Sequence, residues 1–286
     1  MKEIQDALIK WTGSKRHLAK EIIKYFPQNI NTYYEPFLGG GSIFLTLLNS
    51  KINIKKFILS DINNDLIELW KNIYTNPKYV LEEYKKHWLL FNNNFDENSI
   101  SIIANRKKVF SDLKKEFNKT KDVGIFLFLT RTSINGLIRY NKKGEFNSSC
   151  HFTRPGIKPE KLEKIIYYWF EKMNKVEVEF INQSYEKINT FQKNDLIFLD
   201  PPYFKSGSMY YGTIDYEKLW NWIENIKCNW KFLTFDGKRN ENDYTHDIPN
   251  KIIEKHIYLN KKNSSYSNLN KNNEKTLVEE SFYILK

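Results

Sequence analysis

Cysteine is nearly absent from this 286-residue chain: only Cys150 and Cys228 occur, far apart and in no metal-ligand spacing. Two isolated thiols exclude a disulfide framework and a structural zinc site, and they fit a reducing compartment. Long apolar runs are missing too. No segment approaches the roughly 20 residues a membrane helix needs, and the opening MKEIQDALIKW lacks the apolar core of a secretory signal. The expectation is a soluble, cytoplasmic monomer with no metal and no membrane partner. Internal repeats are also lacking. Acidic residues are the scarcer sign, 34 against 45 Lys and Arg, for a net charge of +11.

Aromatic residues are plentiful, at 16% with 18 Tyr and 20 Phe, enough to fill a core and leave rings for stacking. The length suits one large domain, or one domain carrying an insertion. A positive excess speaks to partners and not to fold. It fits a nucleic-acid binder, and equally a Lys- and Asn-rich composition from an AT-rich genome.

Along the chain, Leu18, Ile22, Ile23 and Phe26 share a helical face over 15–26, which Pro27 ends. Thr32 to Glu35 reads as a strand running into PFLGGGS (36–42), followed by a helix over 43–48 with Ser42 as a candidate cap. Phe57 to Leu59 is a second strand, ending at Ser60-Asp61. Strand, Gly-rich turn, helix and strand ending in an acid make half of a nucleotide-binding α/β sheet. Residues 64–130 are dominated by helical periodicity, interrupted at Pro77 and by a polar run at 92–98. A hairpin signal follows over 131–147, with its turn at 141–144. A helix over 159–173 leads to a strand at 176–181. Leu196 to Leu199 is an apolar strand ending in DPPY (200–203). Residues 219–226 read as a crossover helix before a strand at 232–235. Segments 252–259 and 277–285 alternate as a closing antiparallel pair, around a polar loop at 260–273.

Three pieces carry chemistry. Gly39, Gly40 and Gly41 let the backbone turn sharply and approach a ligand closely. The turn lacks a phosphate-type G-x-G-x-x-G pattern and a closing Lys-Ser/Thr, which argues for a nucleoside without a phosphate. Asp61, about 20 residues on, is placed to accept hydrogen bonds from ribose hydroxyls, although a lone strand-end Asp is more often a cap. In DPPY, Pro201 and Pro202 remove two backbone donors and fix φ twice. The Asp200 carboxylate and the Pro201 carbonyl then form a rigid pair of acceptors for the hydrogens of an amino group, and Tyr203 offers a flat face to a base.

With these residues the chain resembles the adenine-N6 DNA methyltransferases of the Dam type, alpha-class amino-methyltransferases with a DPPY motif. The likeness covers nearly the whole chain in the family's order: WTGSK (11–15), EPFLGGGS (35–42), SDIN (60–63), RTSINGLIRYNKKGEFN (131–147) and FLDPPY (198–203). It implies S-adenosyl-L-methionine as cofactor, held by Trp11, Lys15, Glu35, Phe37, the three glycines, Asp61 and Asp200, with Lys15 near the cofactor's carboxylate. A looser match puts 183–185 near its adenine. It implies catalysis at Asp200, Pro201, Pro202 and Tyr203, on an adenine flipped out of the duplex. It implies double-stranded DNA as partner, met by Asn135, Leu137, Arg139, Lys142 and Lys143, and a cognate restriction endonuclease as a candidate partner in a bacterial or phage setting. Ile134 departs from the aromatic that well-known members carry there, and 148–157 departs from their usual run, so the recognised sequence is left open.

The expected fold is a doubly wound, mostly parallel Rossmann-like α/β sheet with an inserted, mainly helical recognition domain and hairpin. Residues 1–63 and 176–286 would form the catalytic domain and 64–175 the insertion. The strand before the glycines and the strand before DPPY should be neighbours at the topological switch point. Cytosine-N4 methylation, methylation of RNA or a protein glutamine, and a DNA-binding protein with a decayed site remain alternatives. The Asp of DPPY and the hairpin favour adenine in DNA.

Overall fold

In the computed structural model, β1 (Asn29–Glu35) runs parallel to β2 (Asn53–Asp61) on one side and to β4 (Leu196–Leu199) on the other. The structure describes residues 6–93, 99–202, 214–235, 237–239, 242–243, 248–259, 262–263, 277–278 and 280–286. Around β1 a seven-stranded sheet forms in the order β3-β2-β1-β4-β5-β11-β8, with β3 (Glu177–Asn182), β5 (Trp230–Phe235), β8 (Ile253–Tyr258) and β11 (Ser281–Leu285). The five strands β1 to β5 pair in parallel, and β11 is antiparallel to both β5 and β8. This is the mixed α/β sheet expected, with the β1 and β4 strands adjacent.

Both faces of the sheet are covered, and the pleat shows it. In β4, Leu196 and Phe198 enter a large core beneath the first seven helices, while Ile197 and Leu199 enter a smaller core with α8 (Tyr216–Glu224). Phe282 and Tyr283 divide the same way in β11. Such two-sided burial explains why these strands read as apolar runs.

Helices α3 (Asn64–Thr75), α4 (Pro77–Asn92), α5 (Ser99–Thr120), α6 (Val123–Thr132) and α7 (Pro159–Met173) follow β2. Pro77 starts a helix at its first position, where its missing N–H costs nothing. α6 is buried on nearly every residue and is the bundle's centre. α3 also packs on the sheet, its Trp70 stacked on Phe180 of β3 at 5.6 Å. The expected boundary at residue 64 therefore falls at a helix shared by sheet and bundle.

Three local expectations are corrected. The helix over 15–26 shortens to α1 (Ala19–Ile22) and a 3-10 turn at Ile23–Tyr25. The 277–285 segment splits into β10 (Leu277–Val278) and β11. β10 joins a small antiparallel sheet with β6 (Lys238–Arg239), β7 (Asn242–Asp243) and β9 (Lys262–Asn263). Val278 opposes Arg239 where the β5–β11 register would set Lys238, so pairing resumes one residue out of step. The hairpin also starts later than 131, because α6 runs through Thr132. Its pairing consists of single bridges, Ser133 with Cys150 and Tyr140 with Phe146.

Candidate functional site

A cleft of about 350 Å³ opens at the carboxyl ends of β1, β2 and β4. It is lined by Trp11, Lys15, Glu35, Phe37, Gly39, Gly40, Asp61, Asp200, Pro201, Pro202 and the 183–185 segment with Tyr185, which the sequence reading named, and by Ile62, Asp215 and Lys218, which it did not single out. Gly41 stands just behind. Tyr203 lies outside the described residues.

The glycines serve the protein's own packing. A Cβ on Gly39 or Gly40 would meet Trp11 at 3.0 Å, and one on Gly41 would meet the Trp70 ring at 2.7 Å. Gly39 and Gly41 also have positive φ, 48° and 63°, a region that L side chains enter at a cost. The Trp70 indole N–H donates to the Gly39 carbonyl (3.1 Å), fixing the turn over α3. Gly41 is the cap position of α2 (Ser42–Leu48), correcting the assignment of the cap to Ser42, whose hydroxyl instead meets Ser14 at 2.6 Å. The open Phe44 N–H of this helix donates to the Glu35 carboxylate at 3.2 Å. Tyr33 also donates to Glu35, at 2.8 Å. Even so, burial pushes the Glu35 carboxyl up to about 8.

Asp61 ends β2. One of its oxygens accepts the Gly39 N–H (3.0 Å) and the other the Asn63 N–H (2.9 Å). Desolvation raises its carboxyl to about 6 in spite of these bonds. The next side chain, Ile62, is 52% exposed, an apolar surface facing the cleft. Opposite, the Phe37 and Tyr185 rings meet at 5.5 Å and form an aromatic wall. The sequence signal for Ile62 was only its place after the acid.

Asp200 follows β4. Thr234 of β5 donates to its Oδ1 (2.8 Å), and the Lys15 ammonium lies 2.9 Å from the same oxygen. Lys15 is almost fully buried and also meets Glu280 (3.3 Å) and the Gly13 carbonyl (3.1 Å). Burial raises the Asp200 carboxyl, the Lys15 charge lowers it, and Glu280 raises it. Tyr216 of α8 donates to the Pro202 carbonyl, holding the Pro-Pro turn against the sheet. Thr234 and Glu280 carried no local sequence signal.

The remaining expected residues gather beside the cleft. Asn135, Arg139, Lys142 and Lys143 are exposed, and Leu137 is half-buried. Asn135 has φ 53° and, through its carbonyl, meets the Thr12 hydroxyl at 3.4 Å. The Asn141 side chain accepts the N–H groups of Lys143 (2.9 Å) and Glu145 (3.0 Å), shaping the turn. Tyr140 donates to Asp65 at 2.8 Å, docking the hairpin on the start of α3, four residues from Asp61. Arg131, within the expected hairpin motif, is instead half-buried, its guanidinium turned inward and donating to the carbonyls of Ala7 (2.5 Å) and Leu8 (2.7 Å). The N-terminal segment thus ties the glycine turn to the hairpin's base. Among the described residues no group of His, Cys, Asp and Glu could hold a metal ion.

Comparison with known proteins identifies a family. The profile of the D12 class N6 adenine-specific DNA methyltransferases matches residues 11–260. A DNA adenine methylase of Vibrio cholerae serotype O1 is 34% identical over 205 residues, 70% of this chain and 65% of that protein. One from Haemophilus influenzae is 34% identical over 68% of this chain and 63% of its own length. A Type II methyltransferase of Methanocaldococcus jannaschii is 32% identical over 68% of each. The match to the first of these relatives thus takes in just under two thirds of its length. With a family profile covering most of its length and relatives at this identity, the chain belongs to the D12 class of N6 adenine-specific DNA methyltransferases.

Proposed function

We propose that the protein transfers a methyl group from S-adenosyl-L-methionine to N6 of an adenine in duplex DNA. The observation that carries this reading is the convergence of Asp61, Asp200 and the Pro-Pro turn on one cleft at the switch point, next to an exposed basic hairpin.

The cleft's chemistry fits the cofactor. Asp61 is a partly exposed acceptor for ribose hydroxyls, and Ile62 with the Phe37–Tyr185 wall suits a flat purine. Glu35 is a desolvated carboxyl at its floor, and a cationic ligand favours its ionised form. Bound there, the sulfonium supplies an electrophilic methyl group. Asp200 and the Pro201 carbonyl accept the amine's hydrogens, favouring the geometry in which the nitrogen lone pair is available. Those bonds strengthen as positive charge grows on nitrogen, so they act on the transition state. N6 is inaccessible inside a duplex, so the adenine is flipped out.

In this reading 1–63 and 176–286 form the catalytic part and 64–175 the target-recognition part, with α3 and α7 as its base. Arg139 reads base edges and Lys142 and Lys143 contact phosphates. The Type II name of one relative supports a restriction endonuclease as partner. The test is to incubate the protein with cofactor and mixed-sequence duplex DNA, digest to nucleosides and separate by mass. N6-methyladenine is expected. N4-methylcytosine without methyladenine would overturn the assignment.

A further inference from the structure

We infer that Glu280 is a positioning residue for methyl transfer: it holds the Lys15 ammonium in part, so that Asp200 is not Lys15's sole counter-ion and stays available to the incoming amine. The inference rests on the adenine-methylation reading above.

Glu280 lies beyond residue 260, where the family match ends, and 80 residues after Asp200. The sheet brings them together. β11 pairs antiparallel with β5, with Ser281 opposite Phe235 and Phe282 opposite Thr234, and Thr234 is the residue that bonds Asp200. On the other side the Leu259 N–H donates to the Glu280 carbonyl at 2.9 Å. The backbone of Glu280 is therefore fixed between β5 and β8, and its carboxylate reaches Lys15.

An ammonium has three donors, and among the described residues that of Lys15 meets Gly13 O at 3.1 Å, Asp200 at 2.9 Å and Glu280 at 3.3 Å. A nearly buried cation between two carboxylates gives the group a net negative charge. With Glu280 neutral, Lys15 would lose one of its two described carboxylate partners, and Asp200 would carry more of its charge. The Asp200 Oδ1, already taken by Thr234, would then be held more tightly, and the Lys15 field would oppose the positive charge growing on the amine nitrogen. Glu280 thus screens Lys15 and leaves Asp200 a better acceptor. Among the described residues, the charged and titratable groups facing Asp200 are Lys15 from the N-terminal segment, Glu280 just before β11, and Glu35 and Tyr33 from β1.

The test compares wild type, Glu280→Gln and Glu280→Asp in the full chain. Single-turnover methylation is followed against pH with cofactor and DNA saturating. Calorimetry gives cofactor affinity, and melting gives the unfolding midpoint. The Asp200 carboxyl of the ligand-free protein is titrated by its carbon-13 resonance. Glu280→Gln should lower the methylation rate constant about tenfold with cofactor affinity unchanged. The acid limb of the rate profile and the Asp200 titration should both move to lower pH, because Asp200 loses a like-charged neighbour. Glu280→Asp should restore most of the rate. A wild-type rate in Glu280→Gln with an unmoved Asp200 titration overturns the inference, as does equal loss in both variants with a lowered midpoint. If wild type forms no N6-methyladenine, the functional reading fails instead, and the Asp200 titration still decides whether Glu280 acts on that carboxyl.

Discussion

The cleft at the ends of β1, β2 and β4 and the turn between Ser133 and Cys150 are neighbours, joined where Tyr140 bonds Asp65. They are held in different ways. The cleft's acids end strands that are laddered on both sides and buried on both faces. The hairpin has only isolated bridges and scattered backbone bonds, such as the Asn147 N–H to the Arg139 carbonyl (2.7 Å) and the Ile134 N–H to the Ser149 carbonyl (3.0 Å), and adds side-chain ties. Asn118 pairs with both the N–H (2.8 Å) and the carbonyl (3.1 Å) of Phe146, and the Ser148 hydroxyl accepts the Arg139 N–H (2.9 Å). A ladder fixes position without regard to surface side chains, whereas a turn tied by a few amides can be re-aimed by a few substitutions. The difference suits the proposed roles, chemistry that must not vary beside recognition that can.

The largest effect should come from the cleft. If Asp200 is the acceptor proposed for the transition state, Asp200→Ala should lower methylation by about two to three orders of magnitude. Sequence-specific DNA binding should survive, checked by single-turnover kinetics beside a mobility-shift assay. Loss of both together would mean that the two regions are not separable.

Asp61→Asn sharpens the contrast within the cleft. Exchanging a charged acceptor for an amide should weaken cofactor binding by about 1–2 kcal/mol, measured by calorimetry. The unfolding midpoint at neutral pH should change little, because relief of a buried charge, the carboxyl standing near 6, is offset by the loss of one acceptor for the Gly39 or Asn63 N–H. An unaltered affinity would make Asp61 a turn residue only.

The same burial predicts a pH dependence. Glu35 near 8 and Asp61 near 6 are raised above ordinary carboxyls, so the folded ligand-free protein binds more protons than the unfolded chain over that interval. Stability is fully present below the ordinary carboxyl range and is lost as pH rises through 6 and then 8. Melting points should decline over this window, and Glu35→Gln should flatten its upper part. A rising stability would contradict the assigned burial.

The contrast also explains what could be read from the sequence. Apolar runs ending in Asp61 and DPPY, and the glycines after Phe37, are local signals that set β1 beside β4 and both acids in one cleft. Thr234, Glu280 and Asn118 were not legible, because each meets its partner across a long separation with no periodic pattern around it. Ser42 looked like a cap by proximity, yet Glu35, nine residues before Phe44, supplies the acceptor. The hairpin's turn was visible in Asn141 to Gly144. Its start was not, because the N-terminal carbonyls that hold the Arg131 guanidinium lie 123 and 124 residues away.

A smaller effect is expected at the tip of the hairpin. Lys142→Ala and Lys143→Ala should weaken DNA binding uniformly across sequences, each reducing the salt dependence by about one counterion. A change of preferred sequence would place them on bases.

The division of labour is tested most directly by methylation-aware sequencing of DNA from cells producing wild type or Arg139→Ala. Arg139 is exposed beside the cleft and touches none of its acids, and a bidentate guanine contact discriminates by about 1–3 kcal/mol. Wild type should mark adenine in one short sequence, and the variant should mark adenine in a set degenerate at one position. The same sequence methylated at a uniformly lower level would contradict the account.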